Sequence, residues 1–139
     1  MTQPADPVRQ PPSVTVQFCS AERRYEPLQS LEVRYAVELP PGQVARAVER
    51  SIVWYTEGKG EEDIGVHHFE RLTDRATAEA SAGSFVSRLP ASPLSYEGVI
   101  VKIRWCVRVR LFFDAGRDFV SEHVFDLGRV PAAAFPTRS

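Results

Sequence analysis

Leu89 to Leu111 reads LPASPLSYEGVIVKIRWCVRVRL. Val99, Val101, Ile103, Trp105, Val107, Val109 and Leu111, with Phe113 two residues on, place an apolar side chain at every second position. That is the period of a strand with one face in a core. A row of this length in water would be a severe liability, so it predicts a second sheet packed against it. Lys102, Arg104, Arg108 and Arg110 occupy the opposite parity, interrupted by Cys106. Like charges two positions apart on a strand lie about 6.8 Å apart and repel by roughly 0.6 kcal/mol in water. The basic row is therefore tolerable in solvent, and it invites carboxylates or an anionic partner.

Outward from this stretch the same alternation recurs. Val14, Val16 and Phe18 alternate with polar residues, as do Leu31, Val33, Tyr35, Val37 and Leu39, until Pro40, Pro41 and Gly42 end the run. Val48 to Thr56 carries Val48, Ile52 and Trp54 on one face and Val53 and Tyr55 on the other, which predicts an interior strand. EGKGEED, Glu57 to Asp63, separates it from Ile64 to Leu72 as a hairpin loop would, and lacks the D-x-D-x-D-G spacing of a calcium loop. Thr73 to Gly83 is rich in helix formers but has no apolar stripe, so a short surface helix and a loop both fit, with Gly83 as the stop. Phe85 to Leu89 opens the next strand, and Phe119 to Leu127 is the last. Pairing Phe113 with Phe119 across the DAGRD loop would set Arg110 opposite Glu122. Glu32, Glu38 and Glu49 are further carboxylates able to balance the row. The expectation is an all-β protein, an antiparallel sandwich of seven to eight strands. It spans residues 13–128, after a Pro-rich arm over 1–12 and before a tail over 129–139.

FVSRLPASPLSYEGVIVKIRWCVRVRL, from Phe85, resembles the strand, proline-rich connection and long strand of the arrestin-like amino-terminal sandwich, F-x-x-x-L-P-x-x-P-x-S-[YF]-x-G followed by an alternating strand. ERRYEPLQSLEVRYAVELPP is similar to the family's opening, where Y-x-P-G-x-x-[LV] leads into a long strand. The resemblance covers Val14 to Gly128. It departs from the family at Leu28, where a glycine is usual, and in offering one sandwich where arrestins, retromer cargo adaptors and bacterial sporulation-control proteins have two. The cargo groove, buried polar core and phosphate sensor of arrestins match no residues here and are not carried over. The resemblance implies an arrestin/immunoglobulin-like fold and a non-catalytic scaffold or adaptor.

Composition narrows the function from another side. Seventeen basic and 18 acidic residues in 139 give a net charge of −1, so no global field draws the chain to nucleic acid or anionic membrane. No run of about 18 apolar residues marks a membrane span, and the amino-terminal segment has no signal-peptide core, which predicts a cytoplasmic protein. Cys19 and Cys106 form no C-x-x-C pair and read as two buried free thiols. His67 and His68, adjacent on a strand, should leave opposite faces and bind no metal together. No nucleophile elbow or phosphate loop is present, so neither catalytic residues nor a cofactor are expected. Trp105 lies on the face opposite the arginines, against a nucleic-acid stacking platform. What remains is a protein-protein interaction module. It would bind through a sheet edge, a homodimer included, or through Lys102, Arg104, Arg108 and Arg110 gripping an acidic segment. The alternative is a carbohydrate- or lipid-binding sandwich, which needs an apolar pocket open to solvent.

Overall fold

The computed structural model describes residues 11–20, 22–60, 62–73 and 82–128. Most of the expected arm, the whole tail and most of the Thr73 to Gly83 segment lie outside them. The described residues form nine strands: β1 (Ser13–Phe18), β2 (Arg24–Tyr25), β3 (Ser30–Glu38), β4 (Ala47–Gly58), β5 (Ile64–Thr73), β6 (Ala82–Arg88), β7 (Tyr96–Glu97), β8 (Val101–Phe112) and β9 (Asp118–Leu127). They form a three-stranded sheet, β1-β3-β6, facing a six-stranded one, β2-β9-β8-β4-β5, with β7 on β8. This is the all-β sandwich that the alternation predicts: seven long strands and two of two residues each. One pairing departs from the antiparallel rule, the two-residue β2 running parallel to β9.

The apolar parities meet between the sheets. Leu31 and Val33 of β3, Val48 and Ile52 of β4, and Trp105, Val107, Val109 and Leu111 of β8 are fully buried. Phe18 of β1 reaches across to Phe125 of β9, ring centroids 5.9 Å apart. The proline-rich connection closes one end of this core, because the Trp105 indole donates to the Pro93 carbonyl at 2.7 Å and Ser95 exchanges hydrogen bonds with the Leu127 backbone at 2.8 Å. Gly98 makes the following turn possible. A Cβ there would stand 2.5 Å from the Val101 carbonyl and 2.3 Å from the Tyr96 ring.

Several expectations are corrected. The row in β8 begins later than its sequence pattern, since Val99 and Ile100 stand in the turn, 90% and 68% exposed. Gly83 ends no helix. It lies in β6, where Tyr35 packs so closely that a Cβ would meet its hydroxyl at 2.5 Å. The β8-β9 register keeps the expected parity but shifts by two, pairing Leu111 with Phe119 and Arg108 with Glu122. A 3-10 turn at Asp114–Gly116 lengthens the loop, closed by Phe113 N–H donating to the Arg117 carbonyl at 2.8 Å. Cys19 is exposed and only Cys106 is buried, both as free thiols.

His67 and His68 do not point to opposite sides. The ladder pairs Ile52 with His68 and Val53 with Val66, so His67 is an extra residue in β5. Such a bulge breaks the period-2 alternation. Both rings turn inward, His67 edge-on to Trp105 at 6.1 Å and His68 stacked on Phe85 at 5.4 Å.

Candidate functional site

On the outer face of the large sheet, β8 brings Lys102, Arg104, Arg108 and Arg110 into one row, as its alternation requires. Each cation already holds a carboxylate. Arg104 bonds Glu57 of β4 at 2.7 Å and Glu97 of β7 at 2.8 Å, and Lys102 reaches Glu97 at 3.5 Å. Arg108 bonds Glu122 at 2.5 Å, and Arg110 bonds Asp118 at 2.6 Å. The Glu57 hydrogen bond raises the Arg104 pKa still further. Of the carboxylates proposed from sequence to balance the row, Glu122 does so. Glu49 instead pairs with Arg71 of β5 at 2.6 Å, while Glu32 and Glu38 belong to β3 in the other sheet. Glu57, Glu97 and Asp118 are the partners that sequence reasoning missed. The only signal for Glu57 is that β4 lies beside β8, and that neighbour relation is not written in chain order.

The row is interrupted at its centre. Cys106 and Val53, paired across β8 and β4, face outward yet are buried. Burial, with the nearby Glu122 charge adding to it, pushes the Cys106 thiol up to about 12, so it is a packing group and not a thiolate nucleophile at neutral pH. Beside it a shallow depression of about 360 Å³ is lined by Tyr55, Thr56, Glu57, Glu62, Asp63, Ile64, Arg108 and Glu122. Four carboxylates there stand against one guanidinium. The Tyr55 hydroxyl titrates above its ordinary value, first through burial and then through neighbouring negative groups including Glu57 and Glu122.

Two other polar groupings lie on the inner faces. Arg50 of β4 points between the sheets, bonding Glu70 of β5 at 3.0 Å and the Tyr35 hydroxyl at 3.1 Å, with its guanidinium 5.2 Å from the centre of the Phe85 ring. Burial works against its charge, and the hydrogen bonds to Glu70 and Tyr35 outweigh it and raise the pKa. His68 bonds the same Glu70 oxygen at 3.0 Å. On β9, Ser121 Oγ and His123 Nε2 are 2.6 Å apart. Burial and then the Arg23 charge lower the His123 pKa, which keeps the ring neutral. Among the described residues no carboxylate is bonded to that ring to orient it as the base of a nucleophile pair. No group of three or more metal-ligating side chains is gathered among the described residues, and no helix among them is long and apolar enough to cross a membrane.

No protein-family model matches the chain, and no curated protein matches its sequence. Solved structures do. The fold superposes on Spo0M, the sporulation control protein from Bacillus subtilis, with a TM-score of 0.55 over 86% of this chain at 12% identity. The chain spans 50% of the length of that protein. A superoxide reductase (neelaredoxin) from Ignicoccus hospitalis is similar at a TM-score of 0.49 and 10% identity, over 86% of this chain and 81% of that one. The molecule is thus an all-β sandwich whose fold is similar to the arrestin-like fold of Spo0M. That likeness is one of fold.

Proposed function

We propose that the chain is a non-catalytic protein-protein interaction module within a larger assembly, and that it takes up its partner by strand addition at β1. The observation that carries this reading is the state of the sheet edges. β5 is bulged at His67 and carries Glu70 and Arg71. β6 contains Gly83, and its last carbonyl, that of Arg88, is already bonded by His67 at 2.6 Å. β2 has only two residues. β1, by contrast, is SVTVQF, six residues with no charge, proline, glycine or bulge, paired on one side only. Bulges, charges and short length are the devices that blunt an edge, and β1 has the fewest of them. The basic row on β8 is the weaker alternative, because an acidic partner would have to displace carboxylates already bonded to Lys102, Arg104, Arg108 and Arg110.

Native co-purification separates the modes. A partner held by β1 comes down with wild type and with an Arg104→Glu, Arg108→Glu double variant, and persists as salt rises. It is lost from a Thr15→Asp, Gln17→Asp variant, which puts two charges on exposed edge positions without touching the core. Loss with the arginine variant and retention with the edge variant would overturn the β1 reading in favour of the basic row.

A further inference from the structure

One end of the sandwich carries an apolar tip and an acidic depression side by side. The turn between β7 and β8 presents Val99 and Ile100, 90% and 68% exposed, and Lys59 is fastened beside them by its N–H donating to the Ile100 carbonyl at 3.2 Å. The Lys59 ammonium has no ion-pair partner among the described residues. At the same end lies the acidic depression, with Glu57 and Glu122 engaged by Arg104 and Arg108. Glu62 and Asp63 are left without an ion-pair partner among the described residues. Its apolar wall, Ile64, continues outward along β5 to Val66, and the two are 56% and 61% exposed.

These features complement each other in kind. One is a pair of protruding aliphatic side chains next to the Lys59 cation; the other is an apolar shelf next to the Glu62 and Asp63 carboxylates. Exposed large apolar groups collected in this way mark association surfaces. A shallow depression open to solvent suits a protruding side chain better than an enclosed small ligand. Because both halves belong to one chain and one end of it, a two-fold axis satisfies both contacts at once, as an isologous interface requires. We propose that the chain forms an end-to-end homodimer in which the Lys59, Val99 and Ile100 tip of each copy docks on the Tyr55, Glu62, Asp63 and Ile64 depression of the other. The contact leaves β1 free, so it is independent of the strand-addition reading, and its failure would leave that reading standing.

Sedimentation velocity of the full chain over a series of concentrations tests it. Wild type shifts from monomer to dimer as concentration rises. Lys59→Glu and Glu62→Lys, Asp63→Lys each weaken self-association by about tenfold or more, since each sets like charges against each other in both contacts. Mixing the two variants in equal amounts restores the dimer, because every contact then regains opposite charges. All these positions are exposed, and unchanged far-UV circular dichroism certifies the fold. Wild type that stays monomeric throughout, a dimer indifferent to both variants, or variants that fail to rescue each other would overturn the proposal.

Discussion

Arg50 and Arg108 lie on neighbouring strands and each bonds a carboxylate, but one points between the sheets and the other into solvent. The Arg50 side chain is 13% exposed and also meets Tyr35 and Phe85, whereas Arg108 is 29% exposed and shares its face with other ion pairs. The same chemistry therefore has two consequences. On the outer face, pairing neutralises a charge row and adds little to stability. Between the sheets, the pair ties β4 to β5 and, through the Tyr35 hydroxyl, to the opposite sheet. Losing one member there leaves a charge without its partner.

The largest effect belongs to the inner face itself. Trp105→Ala should cost about 3–5 kcal/mol in urea unfolding, from lost burial and the cavity left behind. A value near that of an exposed substitution would mean that the two sheets do not close on this residue. Next comes Arg50→Met, expected to cost about 2 kcal/mol, below the full penalty of a broken buried pair because Glu70 keeps His68 and some solvent. Adding Glu70→Leu should return part of that loss, and a double variant worse than the sum would contradict the clasp.

Acid sharpens the same contrast. The hydrogen bond from Arg50, followed by that from His68, holds the Glu70 carboxyl below its ordinary 4.5. Its contribution is therefore complete above that value and is lost as pH falls through the native pKa. His123 is depressed below 6.5, so the unfolded ring takes its proton first and stability declines as pH drops under 6.5. Melting temperature should thus fall in two stages on acidification. His123→Phe should flatten the upper stage and Arg50→Met the lower one.

Smaller effects test the periphery. Leu28 holds φ at 70° in the turn where Gln29 N–H donates to the Glu26 carbonyl at 3.0 Å, a conformation suited to glycine. Leu28→Gly should stabilise by about 0.5–1 kcal/mol, the relief of left-handed strain exceeding glycine's extra chain entropy. Smallest of all, Arg108→Ser should cost about 0.5 kcal/mol and less in high salt. A loss comparable to that of Arg50→Met would erase the distinction between the faces.

What could be read from sequence follows the same division. Period-2 rows such as Leu31 to Val37 and Trp105 to Leu111 announce both faces, because one residue's parity fixes its neighbours'. Leu28 is legible too, as the residue that stands where the resembling family has glycine. Arg50 is not, since one polar residue in an apolar parity looks like an interruption until Glu70 and Tyr35 are seen to meet it. The histidine pair misleads because a bulge has no local sequence mark. Glu57 escapes notice because its cationic partner lies on a strand remote in sequence, Glu97 because the two-residue β7 that the Gly98 turn folds back onto β8 is too short to show an alternation, and Asp118 because loop length sets the register by two residues.

The proposed role of β1 as the working edge is tested most directly by amide hydrogen exchange of the chain with and without its co-purified partner. Strand addition predicts that alternate amides of Ser13–Phe18, those not already bonded to β3, gain strong protection while Arg104 to Arg110 do not change. Protection appearing along β5 or beneath the basic row, with β1 unaltered, would contradict it.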